Sequence, residues 1–159
     1  SIGLELNGEI IVGAVNNPLT GELYYASQGN GAFLNGHEIR VSEKKKLEEC
    51  LFVAAFSSES ESRKREEYKI FGKMNDKTRG VLRIGSAALA LAYLACGRID
   101  GFWVNGHFAW DIAGGLALVR EAGGQISNIH GNAFVIGESA LVASNSFIHN
   151  PFLEELHGL

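Results

Sequence analysis

Val81-Leu82-Arg83-Ile84, then Gly85-Ser86, then Ala87-Ala88-Leu89-Ala90-Leu91-Ala92-Tyr93-Leu94-Ala95-Cys96 with Gly97 behind it, reads as a short buried strand feeding a helix. Ser86 stands where an N-cap hydroxyl is needed, and Gly97 where a helix stops in the left-handed region. Asp100-Gly101 then turns the chain into the strand Phe102-Trp103-Val104. After Asn105-Gly106-His107 a second helix is expected to begin at Asp111, with Ile112, Leu116 and Val119 as one stripe and Ala113 and Ala117 beside it. Glu121-Ala122-Gly123-Gly124 ends that helix, and Gln125-Ile126-Ser127-Asn128 and Ala140-Leu141-Val142-Ala143-Ser144 read as the last strands. Strand and helix alternate throughout, the pattern of an α/β unit.

Upstream of this unit the signal changes. Leu51-Phe52-Val53-Ala54-Ala55-Phe56 is a strand, residues 57–69 are polar and charged, and a helix is expected over 63–74 with Tyr68, Ile70, Phe71 and Met74 as its apolar face. Residues 41–47 are charged, and Lys44-Lys45-Lys46 reads as a solvated loop or the first turn of a short helix. The subdomain boundary is placed here, giving residues 1–44 and residues 45–159. Residues 1–40 read as strands only: Leu4-Glu5-Leu6, Asn7-Gly8, Ile10-Ile11-Val12-Gly13-Ala14-Val15, a turn at Asn16-Asn17-Pro18, Leu23-Tyr24-Tyr25-Ala26, and Ala32-Phe33-Leu34 before Asn35-Gly36. The two Asn-Gly pairs are hairpin turns, and Gly29-Asn30-Gly31 is read as a structural turn in preference to a phosphate cradle.

Composition bounds what such a chain does. Of 159 residues, 46% are hydrophobic and 20% charged, which excludes disorder. The formal net charge of −4 argues against direct nucleic-acid binding and for a small polar ligand. Cys50 and Cys96 form no Cys-x-x-Cys pair and are expected as buried free thiols in a reducing compartment. The longest strongly apolar stretch, residues 87–96, falls short of the ~20 residues a bilayer requires, so a cytoplasmic location and no membrane partner are expected. The single methionine is Met74 and the chain starts inside a strand-like alternation, so part of a longer protein is expected.

Two places offer chemistry. At Gly85-Ser86-Ala87 a glycine lets a ligand approach the backbone, a serine offers a hydroxyl and an alanine an exposed amide, all at the positive end of a helix; an ordinary serine cap is the alternative. Asp111 is read as an N-cap or as one oxygen ligand of a divalent cation such as Mg²⁺, which requires more carboxylates than one. His107, His130 and His149 lack metal-pair spacing and are expected on loops or the surface. Glu59, Glu61, Glu66 and Glu67, beside Arg63, Lys64 and Arg65, are expected to form a solvated, self-paired face.

The run from Gly85-Ser86-Ala87-Ala88 through Gly97-Arg98-Ile99-Asp100-Gly101 to Trp110-Asp111-Ile112-Ala113-Gly114-Gly115 and Glu121-Ala122-Gly123-Gly124 closely resembles the inositol monophosphatase family. Gly13-Ala14-Val15-Asn16-Asn17-Pro18, Gly29-Asn30-Gly31-Ala32-Phe33-Leu34-Asn35-Gly36 and Leu141-Val142-Ala143-Ser144-Asn145 extend the resemblance over nearly the whole chain. It implies an α+β fold, an alternating α/β layered sandwich here lacking its N-terminal part. Residues 1–44 would then be the remainder of the N-terminal sheet subdomain and 45–159 the C-terminal α/β subdomain.

It further implies a Mg²⁺-dependent, lithium-sensitive phosphatase of inositol monophosphate or a related sugar phosphate, with Asp111 a metal ligand and Gly85, Ser86 and Ala87 contacting the substrate's hydroxyls. A homodimer is implied as well. The family's glutamate ligand and its Asp-Pro-Ile-Asp-Gly-Thr segment would lie ahead of Ser1, so these residues alone are expected to be inactive. Val104 stands where many members carry a glutamate that accepts a bond from an inositol hydroxyl. The rival expectation, also drawn from the resemblance, is a non-catalytic protein that binds the transcription machinery, as the extragenic-suppressor members do. A third, a fragment serving only as an interaction module, would leave its first strand as an unpaired edge.

Overall fold

In the computed structural model the described residues are 1–56 and 61–156. The first sheet is built by its turns. Asn7 and Gly8 carry φ of 53° and 86°, and Asn35 and Gly36 carry 49° and 86°, the paired positive values of two-residue hairpins. They fold β1 (Ile2–Leu6), β2 (Glu9–Asn17), β3 (Glu22–Ser27), β4 (Ala32–Leu34) and β5 (His37–Ile39) into an antiparallel meander in sequence order. At the β3–β4 turn the amides of Gly29 and Gly31 donate to the two Glu121 carboxylate oxygens at 3.0 and 2.9 Å. That turn does cradle an anion, but the anion is the chain's own side chain.

The second sheet is mixed. Along the chain follow β6 (Leu51–Phe56), α1 (Glu61–Lys77), β7 (Gly80–Leu82), α2 (Ala87–Ala95), β8 (Gly101–Asn105), α3 (Ala109–Glu121), β9 (Gly124–Ser127), β10 (Ala140–Asn145) and α4 (His149–Leu156). The strand order is β7-β6-β8-β10-β9, with β6 parallel to β7 and β8, and β10 antiparallel to β8 and β9.

Alternation of side chains sorts this sheet onto two cores. Val53, Phe102, Val104, Leu141 and Ala143 face α2 and α3 and, beyond them, Ile10, Val15, Tyr24 and Ala26 of the first sheet. Phe52, Ala54, Phe56, Trp103 and Val142 face the other way, onto Ile70 and Met74 of α1 and Phe152, Leu153 and Leu156 of α4. The order of layers is sheet, helix pair, sheet, helix pair: an α+β layered sandwich. A sheet buried on both faces needs continuous apolar strands, which is why β6 reads Leu-Phe-Val-Ala-Ala-Phe without polar interruption.

The middle helices pack unusually close because their contact residues are small. A Cβ on Gly13 would lie 2.1 Å from the Gly114 carbonyl oxygen, so β2 and α3 touch backbone to backbone. A Cβ on Gly115 would lie 2.4 Å from Leu91 Cβ, so α2 and α3 are equally tight.

Asp100, fully buried, ties residues 42–44 to the second sheet. Its carboxylate accepts from the Ser42 hydroxyl, from Lys44 Nζ at 2.8 Å and from the Leu51 amide at 2.7 Å. Asn145 Nδ2 adds bonds to Ser42 Oγ and the Lys44 carbonyl at 2.9 and 3.1 Å.

Several expectations are corrected. Lys44 is not a solvated lysine, because Asp100 holds it. The helix expected over 63–74 begins at Glu61 and runs to Lys77; Ile70 and Met74 are buried as expected, whereas Tyr68 is exposed. Of the acidic face, Glu59 lies outside the described residues, Glu61 pairs with Lys64 at 3.2 Å, and Glu67 is buried against Asn105, which donates to it at 2.9 Å. Cys50 is buried, Cys96 half-buried, and both are free. The helix expected from Asp111 starts two residues earlier, at Ala109. His149 is buried, and α4 was not foreseen from the sequence. No helix among the described residues is long and apolar enough to cross a membrane.

Candidate functional site

The start of α2 is a built cap. Gly85 takes φ of 80°, which lets the chain leave β7 and enter the helix, and Ser86 stays extended so that its Oγ accepts from the Leu89 amide at 3.2 Å. That bond uses a lone pair and leaves the Ser86 hydroxyl hydrogen to be donated. The serine is both the expected cap and a donor at the positive end of α2.

The start of α3 lies across from it. Phe108, not Asp111, occupies the N-cap position, and Asp111 sits one turn in, where its Oδ2 accepts from the Phe108 amide at 2.9 Å. This is half of a capping box, and it fixes the carboxylate against its own helix. The residue read as an N-cap therefore does a capping task from inside the helix.

Between the two helix starts is an open cavity of about 400 Å³. Gly85, Ser86, Ala87 and Asp111, the four residues singled out in the sequence, all line it. Val104, almost fully buried near the end of β8, gives the wall an apolar surface. Arg83 supplies a cation. Its guanidinium lies 4.3 Å from the Phe56 ring centroid and donates to the Phe56 carbonyl at 3.3 Å. Phe108 and Trp110 stack on each other at 4.8 Å and are largely exposed beside the first turn of α3.

His107 also lines the cavity, and the sequence reading missed it. Its ring packs on Phe134 at 5.9 Å, and both ring nitrogens are buried. The Ser139 carbonyl beside the ring also accepts from the Gly106 amide at 2.9 Å. Burial lowers the His107 pKa, against the opposing pull of the Asp111 carboxylate and the Ser139 carbonyl. A short segment from Asn105 to the Asp111 helix was visible in the sequence, but nothing in it signalled that the histidine would turn inward.

As a metal centre these residues are incomplete. Mg²⁺ is held in an octahedron of oxygens, usually with more than one carboxylate or phosphate among them. Among the described residues Asp111 is the one carboxylate lining the cavity, and no group of three His, Cys, Asp or Glu side chains converges as a metal site. The arrangement by itself offers donors and a cation to an anionic or acceptor-rich ligand, and one carboxylate.

Comparison with known proteins places this site in context. The profile of the inositol monophosphatase family matches residues 1–158. An inositol-1-monophosphatase of Mesorhizobium japonicum is 39% identical over 154 residues, which cover 97% of this chain and 58% of that protein. The Nus factor SuhB of Escherichia coli is 36% identical over 151 residues, covering 95% of this chain and 55% of that protein. Among solved structures, an inositol monophosphatase from Anabaena superposes with a TM-score of 0.91 at 36% identity, over 97% of this chain and 61% of that one. The chain thus spans less than two thirds of the length of these relatives.

Proposed function

We propose, from the premise that the chain belongs to the inositol monophosphatase family, that it forms the C-terminal part of a phosphomonoesterase acting on inositol monophosphate or a related sugar phosphate. The observation that carries this reading is the convergence of Gly85-Ser86-Ala87 and Asp111, 24 or more residues apart in sequence, on one cavity. In this reading the Ser86 hydroxyl and the amides at the start of α2 meet the ring of the substrate, and Arg83 adds positive charge to the same wall. Asp111 is one oxygen ligand of a Mg²⁺ ion whose other carboxylates come from sequence outside these 159 residues. The 159 residues alone are then inactive, and a dimer in the cytoplasm is the assembly the family resemblance favours.

The test is Asp111→Asn in the longer polypeptide, which keeps the side-chain volume and removes the charge. The expected outcome is a loss of at least about a hundredfold in kcat/KM for inositol 1-phosphate, since even groups behind a ligand cost 10–100-fold. An unchanged Mg²⁺-dependent rate would remove Asp111 from the site.

The similarity to a protein named as a Nus factor favours a second reading, in which the sandwich docks on the transcription machinery without catalysis. Negligible phosphatase activity of the longer polypeptide, with capture of RNA polymerase that survives Asp111→Asn, would favour it over the first.

A further inference from the structure

α1 is a charged helix that turns one carboxylate inward. Glu61, Glu66 and Asp76 are exposed, whereas Glu67 is 1% exposed and shares a face with the buried Ile70 and Met74. An apolar side chain would fill that place at lower cost, since a carboxylate that leaves water needs strong partners in exchange. Glu67 Oε1 accepts from Asn105 Nδ2 at 2.9 Å. Asn105 closes β8 two residues after Trp103, and so lies on the same side of the sheet, toward α1.

The segment that follows Asn105 is the one that reaches the cavity. The Gly106 amide donates to the Ser139 carbonyl, the His107 ring packs on Phe134, and the Phe108 amide donates to Asp111 Oδ2 at 2.9 Å. Gly106, His107, Trp110 and Asp111 all line the cavity. We propose that Glu67 is a positioning residue for the reaction: by holding the Asn105 side chain it fixes the end of β8, and with it the turn into α3 that carries the Asp111 carboxylate. The inference rests on the phosphatase reading above and adds to it a residue that acts from the far side of the second sheet.

A hydrogen bond to a carboxylate is stronger than one between neutral groups. Here it acts on the last residue of β8, which is paired with Phe56 on one side and Ala140 on the other, so it adds a side-chain tether where the ladder ends. A shift of about 1 Å in a group that takes part in the chemistry can cost a hundredfold in rate, so such a tether bears on catalysis without touching the substrate. Ser86 and Ala87 reach the cavity from α2 and do not depend on this turn. Loosening the turn should therefore act on kcat more than on KM.

The experiment uses the longer polypeptide with Mg²⁺ and myo-inositol 1-phosphate. Wild type, Glu67→Gln, Glu67→Leu, Asn105→Leu and the double leucine variant are compared by kcat and KM, by thermal unfolding, and by hydrogen–deuterium exchange over residues 105–111. Glu67→Leu is expected to lower kcat roughly fivefold to tenfold, the scale of one hydrogen bond, with KM within about twofold of wild type. Exchange over 105–111 should rise in the same variant. Glu67→Gln keeps an acceptor for Asn105 and should recover most of the rate. Asn105→Leu should match Glu67→Leu, and the double variant should fall no further, since each breaks the same bond. With both partners apolar, the double variant should unfold close to or above the wild-type temperature while kcat stays low, which a merely structural Glu67 would not produce. An unchanged kcat in Glu67→Leu, a Glu67→Gln variant as slow as Glu67→Leu, or losses that multiply in the double variant overturns the proposal while the phosphatase reading stands. A wild-type protein that releases no phosphate overturns both.

Discussion

His149 shows how much a single side chain sets in this molecule. It is 1% exposed, with Nδ1 2.8 Å from Ser144 Oγ and Nε2 2.9 Å from Ser127 Oγ, and it joins the first turn of α4 to β9 and β10. A neutral imidazole donates to one of these hydroxyls and accepts from the other, so one serine is left to donate to its neighbouring carbonyl, Asn145 O at 2.9 Å or Asn128 O at 2.8 Å. Among the described residues no carboxylate takes part in this network to repay the desolvation of an imidazolium, and burial pushes the His149 pKa down from 6.5 to about 4. The folded state therefore binds fewer protons than the unfolded chain between those values. This contribution to stability is complete above pH 6.5 and is lost as pH falls toward 4, about 3 kcal/mol in all. Urea unfolding at pH 7.5, 6, 5 and 4 should show that slope, and His149→Gln should flatten it; an equal slope in the variant would contradict the assignment. This burial was not legible in advance, since an isolated histidine has no periodicity to reveal which way it faces. Asp111 was legible as a candidate ligand, yet its place one turn inside α3 was not, because Phe108 is not a residue that announces an N-cap.

Among the elements, α3 depends most on what it lacks. Gly115→Ala would place a methyl 2.4 Å from Leu91 Cβ, an atom fixed by the α2 backbone, so α2 and α3 must separate. Overpacking of this kind costs about 1–3 kcal/mol, more than the ~1 kcal/mol of helix propensity that alanine brings. Gly72→Ala in α1 meets nothing within 4 Å and should gain stability by up to about 1 kcal/mol. Chemical denaturation of the pair should give shifts of opposite sign; two stabilising substitutions would mean that the middle layer is looser than described. Elements announced by local chemistry were legible: the Asn-Gly hairpins, the Ser86-to-Gly97 helix, and the apolar run of β6. Those decided by tertiary contact were not. α1 has a thin apolar face and gains its extra turns by packing Ile70 and Met74 under the second sheet. In α4, Pro151 masks an eight-residue helix, although a proline in the first turn breaks no helical bond, and Phe152, Leu153 and Leu156 mark the buried side.

At the scale of the whole molecule, the layering brings the site together. α2 and α3 are trapped side by side between two sheets, so their starts lie at the same edge, with the end of β8 and His107 between them. Gly85, Ser86, Ala87 and Asp111 were readable because they sit in contiguous motifs of a known family. His107 and Arg83 were not singled out, because their place at the cavity depends on which way side chains turn once the layers close. Among the described residues one carboxylate lines the cavity. Under the proposed function, hydrolysis belongs to a longer polypeptide to which these residues would lend substrate contacts and one metal ligand. The most direct measurement is phosphate release from myo-inositol 1-phosphate, with and without Mg²⁺, by the 159-residue chain and by the longer polypeptide side by side. The account predicts release by the longer polypeptide only, and only with Mg²⁺; release at the same rate by the 159 residues alone, or none by either, would contradict it.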